Sequence, residues 1–113
     1  MEIRTPKQFI EEVLPSRFRP DRAENFDVDA QLILTGPMGG NWIITLKNRA
    51  LKVTEGIHPF PMLTLKMTDV DFMDLINGKS STTKAFFTGR IQLTGDFNLA
   101  LKLRDAGLLD FGT

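Results

Sequence analysis

The 113-residue sequence has no cysteine and no tyrosine, one histidine, one tryptophan and no excess of either charge. Without cysteine there is no disulfide, no thiolate-ligated zinc or iron–sulfur cluster, and no thiol nucleophile. His58 is the single imidazole. Glu55 stands near it in sequence, but no serine, cysteine or second histidine lies at useful spacing, so neither a metal site nor a catalytic triad is expected, and no cofactor. The 14 Lys+Arg balance 14 Asp+Glu. Nucleic acid is therefore not an expected partner, because a sequence-independent binder needs a one-signed patch to displace phosphate counterions. No 18-residue apolar run occurs, and Met1-Glu2-Ile3-Arg4 leads into a polar stretch rather than a signal-like apolar segment. These absences lead us to expect a cytoplasmic protein.

What is present is hydrophobic: 42% of the residues, including nine Phe and five Met. A chain of this size buries roughly two thirds of its extended surface, enough for one self-sufficient core over residues 1–113. There is no internal repeat or flexible linker, so Gly and Pro mark the ends of elements.

Thr5-Pro6-Lys7-Gln8 combines a capping hydroxyl, a proline preset for the first helical position and a glutamine two residues on. It opens a helix over about Pro6 to Leu14 whose apolar stripe is Phe9, Ile10, Val13 and Leu14. Pro15 and Pro20 bracket a basic connector. From Phe26 to Thr35 apolar and polar residues alternate with the period of a half-buried strand. Gly36–Asn41 is a turn, Trp42–Lys47 a second strand and Ala50–Glu55 a third; Leu63–Met67 alternates again. Thr68-Asp69-Val70-Asp71 starts a helix closed by Asn77-Gly78. Ala85-Phe86-Phe87 is a short apolar turn before a last strand, Arg90–Thr94. Gly95-Asp96 then opens a helix from Phe97 to about Asp105, and Gly107 leaves an apolar tail, Leu108–Phe111.

This order is α+β: a single five-stranded, mostly antiparallel sheet with helices covering one face. The last helix is apolar around more of its circumference than covering a sheet requires, and Phe86 and Phe87 add two large rings. Either the core is thick, or the space between sheet and helices holds an apolar guest.

The run Phe86-Phe87-Thr88-Gly89-Arg90-Ile91-Gln92-Leu93-Thr94-Gly95-Asp96-Phe97-Asn98-Leu99-Ala100-Leu101-Lys102-Leu103 resembles the C-terminal signature of the sterol carrier protein 2 family. Leu63–Phe72 is similar to that family's strand followed by an acidic helix start, Gly78-Lys79 to its helix end, and the Trp42 strand to its second strand. The resemblance implies an apolar tunnel between sheet and helices that binds sterols, fatty acids, acyl-CoA esters or isoprenoid-like lipids without chemistry. The residues expected to line it are Phe72, Met73 and Ile76 on the middle helix, Phe86 and Phe87, and Leu99 and Leu103 on the last.

Other features have plainer readings. Gly36–Asn41 lacks the Lys-Ser/Thr of a phosphate loop and joins two strands; its Pro37-Met38 tip offers a transient membrane contact or an ordinary hairpin. Ile57–Met62 is a Pro-stiffened link, either the rim of a lipid entrance or a rigid edge loop. The pairs Asp27/Asp29 and Asp69/Asp71 are explained by solvation and helix capping. Lys47, Arg49, Lys52, Lys84 and Arg90 are solvated surface or contacts for an anionic head group at a tunnel mouth. Three functions compete: a stand-alone lipid carrier, an accessory protein presenting a lipid intermediate to a biosynthetic enzyme, and a filled-core interaction or dimerisation domain. The C-terminal Asp110-Phe111-Gly112-Thr113 lacks a peroxisomal tripeptide, which favours a prokaryotic source.

Overall fold

In the computed structural model, which describes residues 3–22 and 27–105, strand β1 (Val28–Thr35) pairs on both sides. β2 (Gly40–Lys47) and β3 (Ala50–Glu55) continue from it as an antiparallel meander, while β4 (Leu63–Thr68) lies parallel on its other edge. β5 (Gln92–Gly95) closes the order β3-β2-β1-β4-β5 antiparallel to β4. The sheet is mixed, with one parallel pairing and three antiparallel ones. Period-two alternation fixes which side is apolar. Val28, Ala30, Leu32 and Leu34 face the core with Trp42, Ile44 and Leu46 of β2 and Leu63, Leu65 and Met67 of β4. The first strand begins at Val28 rather than Phe26; Phe26 and the tail Leu108–Phe111 lie outside the described residues.

The turns follow local rules. Asn48 and Arg49 both take left-handed backbone, φ 52 and 63, as a two-residue hairpin between β2 and β3 requires. In the β1–β2 turn Gly36 takes φ 105, and the turn is held from across the molecule by Asp69. The Asp69 carboxylate accepts the Met38 N–H at 2.9 Å and the Val70 N–H at 2.8 Å. Asp69 is buried, so solvation is not its explanation: it links the turn to the start of a helix. A Cβ on Gly36 would stand 2.3 Å from Asp69 Oδ1.

One face of the sheet carries the helices. The first rod runs as α1 (Pro6–Gln8), a wide turn (Phe9–Val13) and α2 (Leu14–Arg17). It therefore continues past the expected end at Leu14 and through Pro15. The widened turn, with Leu14 N–H bonded to Phe9 C=O, is where the helix admits the proline ring, which in a regular helix would meet the carbonyl four residues back. Thr5 caps this rod by accepting the Gln8 N–H. Helix α3 (Asp69–Ile76) is capped by Thr68, which accepts the Asp71 N–H. The Phe9 and Phe72 rings meet edge to face at 5.7 Å, and the Arg17 guanidinium sits 5.3 Å over Phe9. Ala85-Phe86-Phe87 is not a turn but the end of α4 (Thr82–Phe87), nucleated by Ser81, which accepts the Lys84 N–H. Capping by a serine in a Ser/Thr run outweighed the low helix propensity of those residues. Helix α5 (Phe97–Asp105) has the expected bounds.

The opposite face is crossed by Gly56–Met62. β3 ends at Glu55, which pairs with Trp42, which pairs with Leu32, which pairs with Leu65 of β4. The end of β3 thus stands level with the start of β4, and a short link across three strand spacings, about 14 Å, suffices. Gln31 pins it. The buried side chain donates to the Gly56 and Trp42 carbonyls at 3.0 and 3.1 Å and accepts the His58 N–H at 2.6 Å. His58 Nδ1 accepts the Phe60 N–H, and Nε2 lies 3.6 Å from the Asp29 carboxylate. Replacing Gln31 with leucine takes the side-chain partner from the Gly56 carbonyl and the His58 N–H of the link. The Gln31→Leu variant is expected to lose about 1–3 kcal/mol of stability, read as a lowered urea midpoint at unchanged slope.

Candidate functional site

The half of the core between β4–β5 and the last two helices is built differently from the half around Phe9 and Phe72. Leu65 and Met67 of β4 and Leu93 of β5 form its floor. α4 buries only Ala85 among its six residues. That small side chain lets the short helix sit close to the body, while Phe86 and Phe87 extend along its rim. Gly89 ends the helix in left-handed backbone, φ 80, and turns the chain into Ile91. At the far end of β5, Gly95 allows a close approach: a Cβ there would lie 2.5 Å from the Met62 carbonyl oxygen. The Asp96 N–H donates to that same oxygen, and the Asp96 carboxylate accepts the Asn98 N–H, so α5 starts beside Met62.

Between these walls lies a cavity of about 250 Å³, lined by Leu65, Met67, Thr82, Thr83, Phe86, Phe87, Ile91, Leu93, Phe97, Ala100 and Leu101. No lining residue is charged, and the two threonine hydroxyls are the only polar side chains among them. The Phe86 ring joins the helices across the cavity, 5.9 Å from Phe87 and 5.5 Å from Phe97. The outer rim is open: Phe87 is 81% exposed, Phe97 48% and Leu101 37%. A larger open groove, about 640 Å³, runs between Thr5, Lys7, the β1–β2 turn and Glu55. Two of its walls are tied by the Lys7–Glu55 ion pair at 3.1 Å, which together with Glu11 raises the Lys7 pKa above its usual value. It has no enclosed apolar lining and no group arranged for chemistry. Among the described residues there is no cluster of three His, Asp or Glu able to hold a metal, and no helix long and apolar enough to cross a membrane.

A family model described as the SCP-2 sterol transfer family matches residues 10–106. The chain belongs to the SCP-2 sterol transfer family. Hydroxysteroid dehydrogenase-like protein 2 of Xenopus tropicalis is 36% identical over 74 residues, 65% of this chain and 18% of that protein. The chain thus spans less than a fifth of that curated relative. Among solved structures, a sec-alkylsulfatase from Pseudomonas sp. superposes with a TM-score of 0.73 at 27% identity, covering 95% of this chain and 16% of the sulfatase. Palmitated SCP2L2 from Aedes aegypti superposes at 0.70 with 26% identity, covering 85% of this chain and 88% of that one. The α+β sheet with helices on one face matches the SCP2L2 structure.

Of the seven residues expected to line a ligand site in this SCP-2 chain, Phe86 and Phe87 line the cavity. The geometry leaves the other five out. Phe72 and Ile76 are core under the first helical rod, Met73 is half-buried against the same core, and Leu103 is buried with Leu99 packed beside it. On α5 the cavity faces the stripe Phe97, Ala100, Leu101, spaced i, i+3, i+4, rather than the stripe of Leu99 and Leu103. The signal was the excess apolar circumference of that helix; the sequence does not say which stripe the sheet takes. Core and rim separate energetically. Phe72→Ala is expected to cost about 3–5 kcal/mol as a buried large-to-small change, whereas Phe97→Ala at the half-exposed rim is expected to cost under about 1.5 kcal/mol, both by urea unfolding.

Proposed function

We propose that the chain is a non-enzymatic lipid carrier that binds one hydrocarbon chain reversibly between β4–β5 and the α4–α5 pair. The observation that carries this reading is the uncharged cavity with its open aromatic rim. Membership of the SCP-2 family and the likeness to a palmitated relative support it. A cavity of about 150 Å³ accommodates benzene, so on the same scale 250 Å³ takes roughly ten carbons of a chain. Burying that segment gains about 0.8 kcal/mol per CH₂, roughly 8 kcal/mol gross. The same segment leaving a bilayer gives up nearly as much. The carrier therefore works close to balance and shortens the aqueous step instead of driving transfer. Phenylalanine and methionine suit a variable guest, since rings supply area without a hydroxyl and thioethers adapt in shape. The two threonines give little directional polarity with which to select a head group.

A second reading is supported by the small share of its relatives that the chain covers: the same cavity presents a lipid intermediate to an enzyme to which such a module is joined or bound. Both readings require ligand uptake, and the filled-core alternative does not.

The test is an equilibrium titration of delipidated protein with a fluorescent long-chain fatty acid. Saturable binding near one per chain is expected, weakened at least about tenfold by Leu101→Asp or Phe97→Asp, because a carboxylate at the rim must be desolvated or exclude the chain. Val70→Asp, on the exposed side of α3 away from the cavity, should leave it unchanged. No uptake by a cooperatively folded wild type would sink both lipid readings.

A further inference from the structure

A second space lies on the other side of β5. Ile91 and Leu93 line the apolar cavity, while their neighbours Arg90 and Gln92 line a groove of about 300 Å³. Lys66 and Thr68 of β4 alternate with the buried Leu65 and Met67 and border the same groove. Met67 is the one residue that lines both spaces. Strand pairing sets the polar members side by side: Lys66 stands opposite Gln92, and Thr68 beside Thr35 at the end of β1. Arg90 is held through its backbone, because its N–H and that of Ile91 both donate to the Ala85 carbonyl, at 2.9 and 3.3 Å. Asp71 borders the groove from α3, its own N–H fixed by Thr68.

The fold itself makes no use of these charges. Among the described residues, no carboxylate pairs with Lys66 or Arg90, and no side chain donates to the Asp71 carboxylate. The Thr88 hydroxyl is already directed at the Lys84 and Ala85 carbonyls, at 2.8 and 3.3 Å. The donors left to a ligand are Lys66, Arg90, the Gln92 amide and the hydroxyls of Thr35 and Thr68. Two cations in one groove repel each other, and an anion between them removes that repulsion.

We propose that this groove binds a small phosphate monoester that carries a hydroxyl close to its phosphate. The donors come from β1, β4, β5 and the α4–β5 link, an arrangement that suits the tetrahedral oxygens of a phosphate. A planar carboxylate is met by a single forked arginine and does not need them. Asp71 adds selectivity. Its carboxylate repels a bare phosphate but accepts a hydrogen bond from a hydroxyl on the same ligand. A volume of about 300 Å³ equals roughly ten waters, room for a phosphate and a three-carbon polyol. Because β4 and β5 stand between groove and cavity, the ester binds whether the cavity is empty or full. The inference does not rest on the carrier reading.

The experiment is a phosphorus-31 NMR titration of the whole chain against glycerol 3-phosphate and, separately, inorganic phosphate. A hydrogen bond to a charged group is worth about tenfold or more in affinity. Glycerol 3-phosphate is therefore expected to bind about tenfold more tightly than inorganic phosphate, and Lys66→Gln and Arg90→Gln each to weaken it about tenfold. The pair Lys47→Gln/Lys52→Gln, on strands β2 and β3 at the other edge of the sheet, removes the charge of two cations and should change it little. Asp71→Ala should erase the preference for the ester over inorganic phosphate, an effect that a merely structural role would not produce. An unchanged urea midpoint certifies the fold of each variant. No binding of the ester at millimolar concentration, equal affinity for the two ligands, or an equal loss in the Lys47/Lys52 pair would each overturn the assignment. So would displacement of a fluorescent fatty acid by the ester, which would place the phosphate at the lipid cavity instead of in a separate groove.

Discussion

The parallel pairing of β1 with β4 is the constraint on which the second half of the molecule depends. A meander that simply continued would have added β4 beside β3 and left β1 as an edge. Instead the chain crosses the outer face and places β4 on the far side of β1, so every later element stacks over β4 and β5. Such a crossing strands backbone polar groups over a sheet, and buried polar groups without partners are costly. Gln31 removes that cost with one amide that satisfies Gly56 and His58 of the crossing and ties them to Trp42 of β2. The same pairing brings Thr35 beside Thr68, and so sets Asp69 against the β1–β2 turn.

The crossing divides the covered face into two regions of opposite character. Over β1 and β2, long apolar side chains interdigitate: Phe9 on Phe72, Ile10, Leu14, Trp42 and Leu46 all buried. Over β4 and β5, α4 buries only Ala85, and α5 places the small Ala100 a turn before the buried Leu103. Small residues let backbones approach closely but do not fill volume, so large rings on either side of them bound a space instead of closing it. The largest fully buried side chains lie mostly in the first region. The second is thereby free to remain open, which a close-packed core would forbid.

For a carrier this division has a thermodynamic logic. A cavity much more apolar or tighter than a bilayer would hold its guest too well to release it, and a polar one would not accept it. An uncharged lining of aliphatic, aromatic and thioether groups approximates the acyl region of the donor.

Much of this was legible in the residues. Period-two alternation fixed five strands and their apolar faces, because a strand exposes alternate side chains whatever lies around it. Capping hydroxyls at Thr5 and Thr68 and the bounds of Phe97–Asp105 likewise express local hydrogen bonding and helical periodicity. The continuation of the first rod through Pro15 was not legible, since a widened turn that admits the ring arises only with the packing of Phe9 and Val13. Nor was α4, where the Ser81 cap and burial of Ala85 outweigh weak propensity. The site was legible as chemistry but not as geometry: Phe86 and Phe87 announce an apolar surplus, and α5 has apolar residues to spare, yet the choice of Phe97, Ala100 and Leu101 over Leu99 and Leu103 depends on the helix's rotation against β4. Sequence determined the composition of the wall through local periodicity and solubility. Only the tertiary structure decided which side of each helix became wall and which became core, because that depends on contacts between elements distant in the chain.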